Sequence, residues 1–501
     1  MRGAAFLALG LLASPAFAQE SGAPLSAIDW LSRSVEGSST ASPPEPPVAS
    51  DASSPGITVT PLDGGEGGPS GILPSEVTGL PATLWTGSDA ATLVDLIHAE
   101  DVETLPALQE LLVTLMLAEA EPPRDGNARD LFLARVDKLL EIGALEAARS
   151  LLESGDLLDP EAFRRYFDVT LLTGTENEAC ALLGSNPSLA PTLMARVFCT
   201  ARNGDWNAAV LTLNTGRALG DVSLEDETLL TRFLDPEFAQ PEEDLLPPDR
   251  PSPLVYRIRE AVGDLIPTTG LPLAFSHADL RDTVAWRARL EAAERLARHG
   301  AISENVLLAI YTAREPAASG GIWDRAGAIQ RLDRAVTAGD SAAVSAALAP
   351  AWDAMREVGL EVPFARLYGE ALLPLDLDPA AEALAYRIGL LSPAYELAAS
   401  SREPTNPQEQ LWRAIATGRI DGVESSDAAA TAVLASFGAE PTVVQAGQTG
   451  EAILRAVASF RQGIDGDYRA LSEALSGLRA AGLDDVARRS ALQFLILDPL
   501  A

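Results

Sequence analysis

From about Leu84 to the end of the chain, apolar residues recur every three or four positions, the period of an α-helix with one buried face. Leu93, Leu96 and Ile97 share one such face, and Leu108, Leu111, Leu112 and Leu115 another. The pattern breaks where proline and glycine gather. One break is Pro122-Pro123 with Asp125-Gly126; a longer one runs from Pro236 to Pro253 and contains Pro241, Pro247, Pro248 and Pro251. The second predicts a linker or extended crossover. Helical patterning resumes over Leu254–Leu265 and is strong from Ala278 to Arg298, with His299-Gly300 as its stop. Ile302 to Thr312 begins another helix, and later turn or start signals stand at Ala338-Gly339-Asp340, Asn406-Pro407 and Ala481-Gly482-Leu483. Convincing strand alternation is absent, so the expected class is all-α.

Three segments, 131–152, 162–183 and 192–213, align without a gap. Their glycines, Gly143, Gly174 and Gly204, lie 31 and 30 residues apart. Five residues after each stands Ala148, Ala179 or Ala209; nine after stands Leu152, Leu183 or Leu213; seven before stands Val136, Phe167 or Val197. The unit predicted is helix, glycine turn, helix. Glycine accepts the left-handed conformation that ends a helix, the alanine permits close approach, and the larger residues fill the seam. The alternative is three unrelated hairpins that share a common turn. On this Gly-x₄-Ala-x₃-Leu spacing, residues 131–213 resemble tetratricopeptide and Sel1-type helical repeats, without the full tetratricopeptide consensus or its length of about 34 residues. The resemblance implies an α-solenoid of stacked helical hairpins whose concave side binds segments of other proteins. After Gly482 the alanine recurs at Ala487, but Ala491 stands where the leucine would be.

The N-terminal end has a different texture. Met1-Arg2, the uncharged apolar stretch Ala4–Ala13, Pro15 and Ala16-Phe17-Ala18 predict a cleaved signal peptide over 1–18 and export to a bacterial periplasm. Residues 19–84 are expected to be a disordered Pro/Gly/Ser-rich tail, of which 37–84 would span roughly 40 Å as a coil. A short island in the tail, centred on Ile28, Trp30 and Leu31, is a candidate docking motif. The expected layout is therefore signal peptide, tail, helical-repeat region 85–235, Pro-rich linker 236–253 and C-terminal helical region 254–501.

Charge narrows the partners. The net charge is -34, and Lys138 is the sole lysine. Nucleic acid and anionic lipid, which need clustered cations, are disfavoured. No later apolar run is long enough to predict a membrane span, so the mature chain is expected to be soluble. No metal or cofactor is expected: His98, His277 and His299 are isolated, no phosphate-binding Gly-Lys-Ser/Thr is present, and no Gly-x-Ser-x-Gly elbow occurs. No catalytic residue is assigned. The rival expectation is a cell-wall glycan-cleaving enzyme on a helical superhelix, because Glu20, Glu153 and Glu424 each precede a serine; none continues into the segment that follows the catalytic glutamate in soluble lytic transglycosylases. Cys180 and Cys199, on facing helices of successive units, form either a disulfide or two buried thiols. Trp206, Trp286, Trp323, Trp352 and Trp412 are expected to pack. Gly320, Gly321, Trp323 and Arg325 mark a candidate functional loop, since a glycine pair allows close backbone approach. The function expected is a periplasmic scaffold or adaptor for envelope proteins.

Overall fold

The computed structural model describes residues 68–235, 245 and 248–497. Among them every regular element is helical, and extended pairing is limited to two isolated bridges, Ser70 with Ala120 and Leu73 with Ala118. No helix among the described residues is long and apolar enough to cross a membrane.

The three aligned segments form three hairpins: Ala128–Ile142 with Leu145–Glu153, Pro160–Thr173 with Glu176–Ser185, and Leu193–Arg202 with Trp206–Leu219. Gly143 and Gly174 end their helices in the left-handed conformation, at φ 81° and 82°, where a Cβ would be strained. The starts are capped in kind: Asp159 accepts from the Glu161 and Ala162 amides, Thr192 from Ala195, and Asp205 from Ala208. All nine aligned alanine, leucine and Val/Phe positions are buried, so the shared spacing marks the packed seam of each hairpin. Each of these helices packs on its neighbours in sequence.

Helix Pro106–Leu117 shows what its composition requires. Its sequence, PALQELLVTLML, is apolar around nearly the whole circumference, and such a helix must be covered on all sides. It packs on Ala128–Ile142, Leu145–Glu153 and the last helix, Asp484–Leu497. The Ala107 amide, one of the unpaired donors of its first turn, donates to Gln493 Oε1 at 2.9 Å. Its exposed Glu110 takes Arg366 at 2.6 Å and Arg489 at 2.8 Å.

The two ends of the described chain therefore meet. Trp85 is buried and lies against Gly450 of helix Thr449–Ile464, where a Cβ would fall 2.2 Å from the indole. The Gly87 amide donates to Gly447 O at 2.8 Å and the Gly450 amide to Leu84 O at 3.0 Å. Ser88 Oγ–H donates to Glu451 at 2.6 Å, and Arg461 pairs with Asp101. In an open stack each hairpin touches only its neighbours; here contacts join residues more than 360 positions apart. One buried apolar cluster runs from Leu80 to Ile496, across the Pro-rich stretch.

Two boundaries differ from expectation. Residues 68–84 carry fixed structure: helix Ser75–Thr78, and Leu80 and Leu84 in the core. Local composition hid this because the surfaces that bury them come from distant parts of the chain. The helix expected from Ala278 begins at Trp286 instead, preceded by a 3₁₀ stretch over Leu273–Leu280. Arg281 Nε–H donates to the Ala278 carbonyl at 2.7 Å, occupying an acceptor that a continuing α-helix would use.

Candidate interaction surface

The 3₁₀ stretch and the residue after it lie across the turns of the first two hairpins. The Leu273 side chain sits against Gly143, 3.0 Å from where a Cβ would be, and the Arg281 stem lies 3.2 Å from the same point on Gly174. His277 Nε2–H donates to the Gly143 carbonyl at 2.7 Å, a tautomer assigned from the acceptor. Burial pushes the His277 pKa down to about 4, so the ring is neutral. Around this cover, Arg281 pairs with Glu260, and Glu176 takes Arg257 at 3.0 Å and Arg202 at 3.2 Å. The third turn has no such cover: nothing lies within 4 Å of a Cβ placed on Gly204.

The third hairpin differs also in what its outer helix presents. Ala209, Leu213 and Gly216 of Trp206–Leu219 face inward, with Gly216 so close to Leu193 that a Cβ would fall 2.2 Å from its methyl. Outward, Trp206 is 48% exposed, Val210 41% and Leu211 67%; Leu219 and Leu224 extend the apolar surface. Asn207, Val210, Leu211, Asn214 and Ala218 are all exposed and recur at helical spacing along one face. This helix carries no acidic residue, in a chain with 71. Its one cation, Arg217, is occupied by Glu227 at 3.1 Å and by Asn214 Oδ1 at 3.1 Å. Terminal units of a stack need a polar outer face for solubility, and contiguous exposed apolar surface marks interaction sites.

A disulfide fastens this hairpin to the second one: Cys180 of Glu176–Ser185 is bonded to Cys199 of Leu193–Arg202, both fully buried, with Cα atoms 4.8 Å apart. Beside it, Asn203 Nδ2–H donates to the Cys180 carbonyl at 3.1 Å.

The other residues singled out in the sequence fall elsewhere. Ile28, Trp30 and Leu31 lie outside the described residues, as does the segment 1–18. Gly320 and Gly321 take positive φ, 95° and 52°, and lead into helix Ile322–Ala338. Arg325 there is buried and makes a two-pronged pair with Glu294, both bonds at 2.7 Å, which also accepts from Tyr311 Oη–H at 2.7 Å. Trp323 lies on Trp286 with centroids 5.2 Å apart. The loop thus starts a helix around an internal ion pair. Trp286, Trp352 and Trp412 pack as expected. Trp206 does so only in part: its ring meets Phe233 of the next helix, Leu224–Leu234, at 5.8 Å, and it stays 48% exposed although that helix packs on both helices of the third hairpin. The signal that would have found this face is the lack of acid over 206–219.

Two carboxyls are strongly perturbed. Burial raises Glu100 to about 7 against the opposing pull of Lys138, and burial raises Asp168 to about 7 against Arg164 and Arg165. Lys138 Nζ–H donates to the Glu100 carbonyl at 2.6 Å and to Glu141 at 2.7 Å. Glu100 lies near the seam and Asp168 inside the second hairpin. Of the glutamates weighed for glycan cleavage, Glu20 lies outside the described residues, Glu153 is exposed and paired with Arg149 at 2.8 Å, and Glu424 is exposed. An open recess bounded by Tyr395, Asp484, Asp485 and Arg488 has its charges spent on one another: Arg488 bonds Glu396 at 2.7 Å and Asp484 at 2.6 Å, and Tyr395 donates to Asp485 at 2.9 Å. No group of three or more metal-ligating side chains gathers among the described residues. Comparison of the chain with protein-family models, curated proteins and solved structures finds no match.

Proposed function

We propose that the chain is an exported scaffold or adaptor of the bacterial envelope, an α-solenoid of stacked hairpins akin to tetratricopeptide repeats and bent until its ends meet. It works by holding another protein. The observation that carries this reading is the exposed apolar surface of the third hairpin, Trp206, Val210 and Leu211, on a helix without acidic residues in a strongly acidic molecule. The closed seam supports it: a framework locked at both ends presents that face without paying for its own ordering on binding. The signal-like pattern over 1–18 supports export, and the buried disulfide accords with an oxidising compartment.

The test is site-specific photo-crosslinking in cells, with the photoreactive residue placed at Leu211 and, as control, at Val306, an exposed residue far along the chain. Adducts with another envelope protein from residue 211 and none from 306 are expected. Absence of adducts from every exposed position of the third hairpin, or clearing of murein by the purified chain in a zymogram, would overturn the proposal.

A further inference from the structure

Resting on the scaffold reading, the geometry points to a specific occupant for the third hairpin: an amphipathic helix of another protein, with an aliphatic stripe and basic ends. Three observations carry this. First, the open face is a seam with helical spacing. Positions 207, 210, 211, 214 and 218 follow one another at intervals of three and four residues, which is how a helix receives the side chains of another. Second, Asn207 and Asn214 stand one heptad apart on that seam, the Asn214 oxygen already accepting from Arg217 and its exposed amide group without a hydrogen bond to the described residues. Amides at such positions lose water when covered and need polar partners, which fixes register. The occupant therefore carries a polar residue at the matching places among its aliphatic ones.

Third, the charge lies at the ends. The helix itself holds no acid, yet exposed Asp205 precedes it, and exposed Asp221 and Glu225 follow it. A partner with Lys or Arg at both ends gains at both. A second copy of this chain loses at both: antiparallel pairing of two such helices sets Asp205 beside Asp221 of the copy, parallel pairing sets like beside like, and each chain brings a charge of -34. The face is therefore built for a heterologous basic helix.

The experiment uses the full exported chain and two labelled synthetic peptides of about 18 residues, long enough to span the 14-residue helix Trp206–Leu219. Both have the same leucine stripe with glutamines opposite the asparagines; one ends in lysines, the other in glutamates. Fluorescence anisotropy should show the lysine-ended peptide binding at least about 10-fold more tightly, with the difference shrinking as salt rises. Leu211→Glu should weaken the lysine-ended peptide by about 10-fold or more, while circular dichroism keeps its helical content. Equal binding of the two peptides, or peptide binding indifferent to Leu211→Glu, overturns the inference. So does a monomer–dimer equilibrium in sedimentation that Leu211→Glu abolishes, since the occupant is then a second copy. The two proposals fail separately: crosslinks from residue 211 without lysine-peptide binding refute the partner's chemistry alone, whereas absence of crosslinks from the whole hairpin refutes the scaffold.

Discussion

The seam that joins the two ends of the molecule and the third hairpin solve the same problem in opposite ways. At the seam, Trp85 and Leu84 come from a stretch rich in glycine, proline and threonine and are fully covered, because helix Thr449–Ile464 offers a glycine at the place where the indole lies. Backbone amides, a serine–glutamate bond and ion pairs then close the rim. At the third hairpin the inner face is just as tight, yet the outer face keeps a half-exposed tryptophan and two exposed aliphatics, and a disulfide supplies part of the fastening. Among the described residues, helix Trp206–Leu219 packs on Leu193–Arg202 and Leu224–Leu234, and its outer face is left exposed. Its outer residues can be polar, or they can wait for something else. The seam shows that this chain covers its aromatics when it has surface of its own with which to do so.

The largest expected effect breaks the seam. Trp85→Ala removes a fully buried indole packed against Gly450 of helix Thr449–Ile464 and should cost about 3–5 kcal/mol, read as a lower denaturation midpoint. Gly450→Ala presses on the same ring from the other side. Alanine normally strengthens a helix by up to about 1 kcal/mol over glycine, but here its Cβ would lie 2.2 Å from the indole, so a loss of about 1–3 kcal/mol is expected. A stabilised Gly450→Ala protein would mean that the seam is loosely packed. On the other side of the comparison, replacing both Cys180 and Cys199 by serine should cost about 3 kcal/mol, the constraint expected for a closed loop of this size. Limited proteolysis should then cut within 186–235 before it cuts near the seam.

Acid should tighten the region next to the seam. Burial raises the Glu100 carboxyl to about 7 from 4.5, and its Oε1 is buried without a hydrogen-bond partner. Between these two values the folded chain keeps a proton there that the unfolded chain has released. The contribution to stability is therefore full below about pH 4.5 and is lost as pH rises through 7. At about 1.4 kcal/mol per unit, its upper bound is about 3.5 kcal/mol. Glu100→Gln should remove that slope: melting temperatures between pH 5 and 8 should vary less than in the parent chain, with the gain at pH 8. Asp168, raised in the same direction, is a second source, while His277, held neutral, opposes both below its ordinary pKa. The difference between parent and variant isolates Glu100.

How much of this was legible depended on distance along the chain. The hairpins could be located because Gly143, Ala148, Leu152 and their counterparts act within some twenty residues, where spacing reports packing directly. Helix Pro106–Leu117 announced its burial by being apolar all round. The seam gave no local sign. Trp85 and Gly450 are ordinary residues until the chain returns across 365 positions (450 − 85), and no spacing rule operates over that range. The two cysteines left a bridge and two thiols open because the offset between facing helices sets the sulfur separation. The Gly320-Gly321 pair pointed to an unusual backbone, which is present, but the Glu294 that Arg325 grips lies 31 residues earlier and could not be inferred. The third hairpin's face went unread: the lack of acid over 206–219 is a local sign of it, but how far Leu211 and its neighbours stay exposed depends on how helix Leu224–Leu234 packs, which no spacing reports.

The smallest expected effect on stability sharpens the comparison most. Leu211→Glu replaces an aliphatic residue that is already 67% exposed, within the last three turns of a helix where glutamate is a good former. It removes little buried area and meets no carboxylate on its own helix, since none is present. The change in folding free energy should stay within about 0.5 kcal/mol, as for other surface positions, and the melting temperature should move by no more than a few degrees. Under the proposed function, a residue that contributes so little to the fold serves the partner instead. A loss of more than about 1 kcal/mol would instead show that Leu211 packs on its own chain, and the third hairpin would then be a second closed surface like the seam.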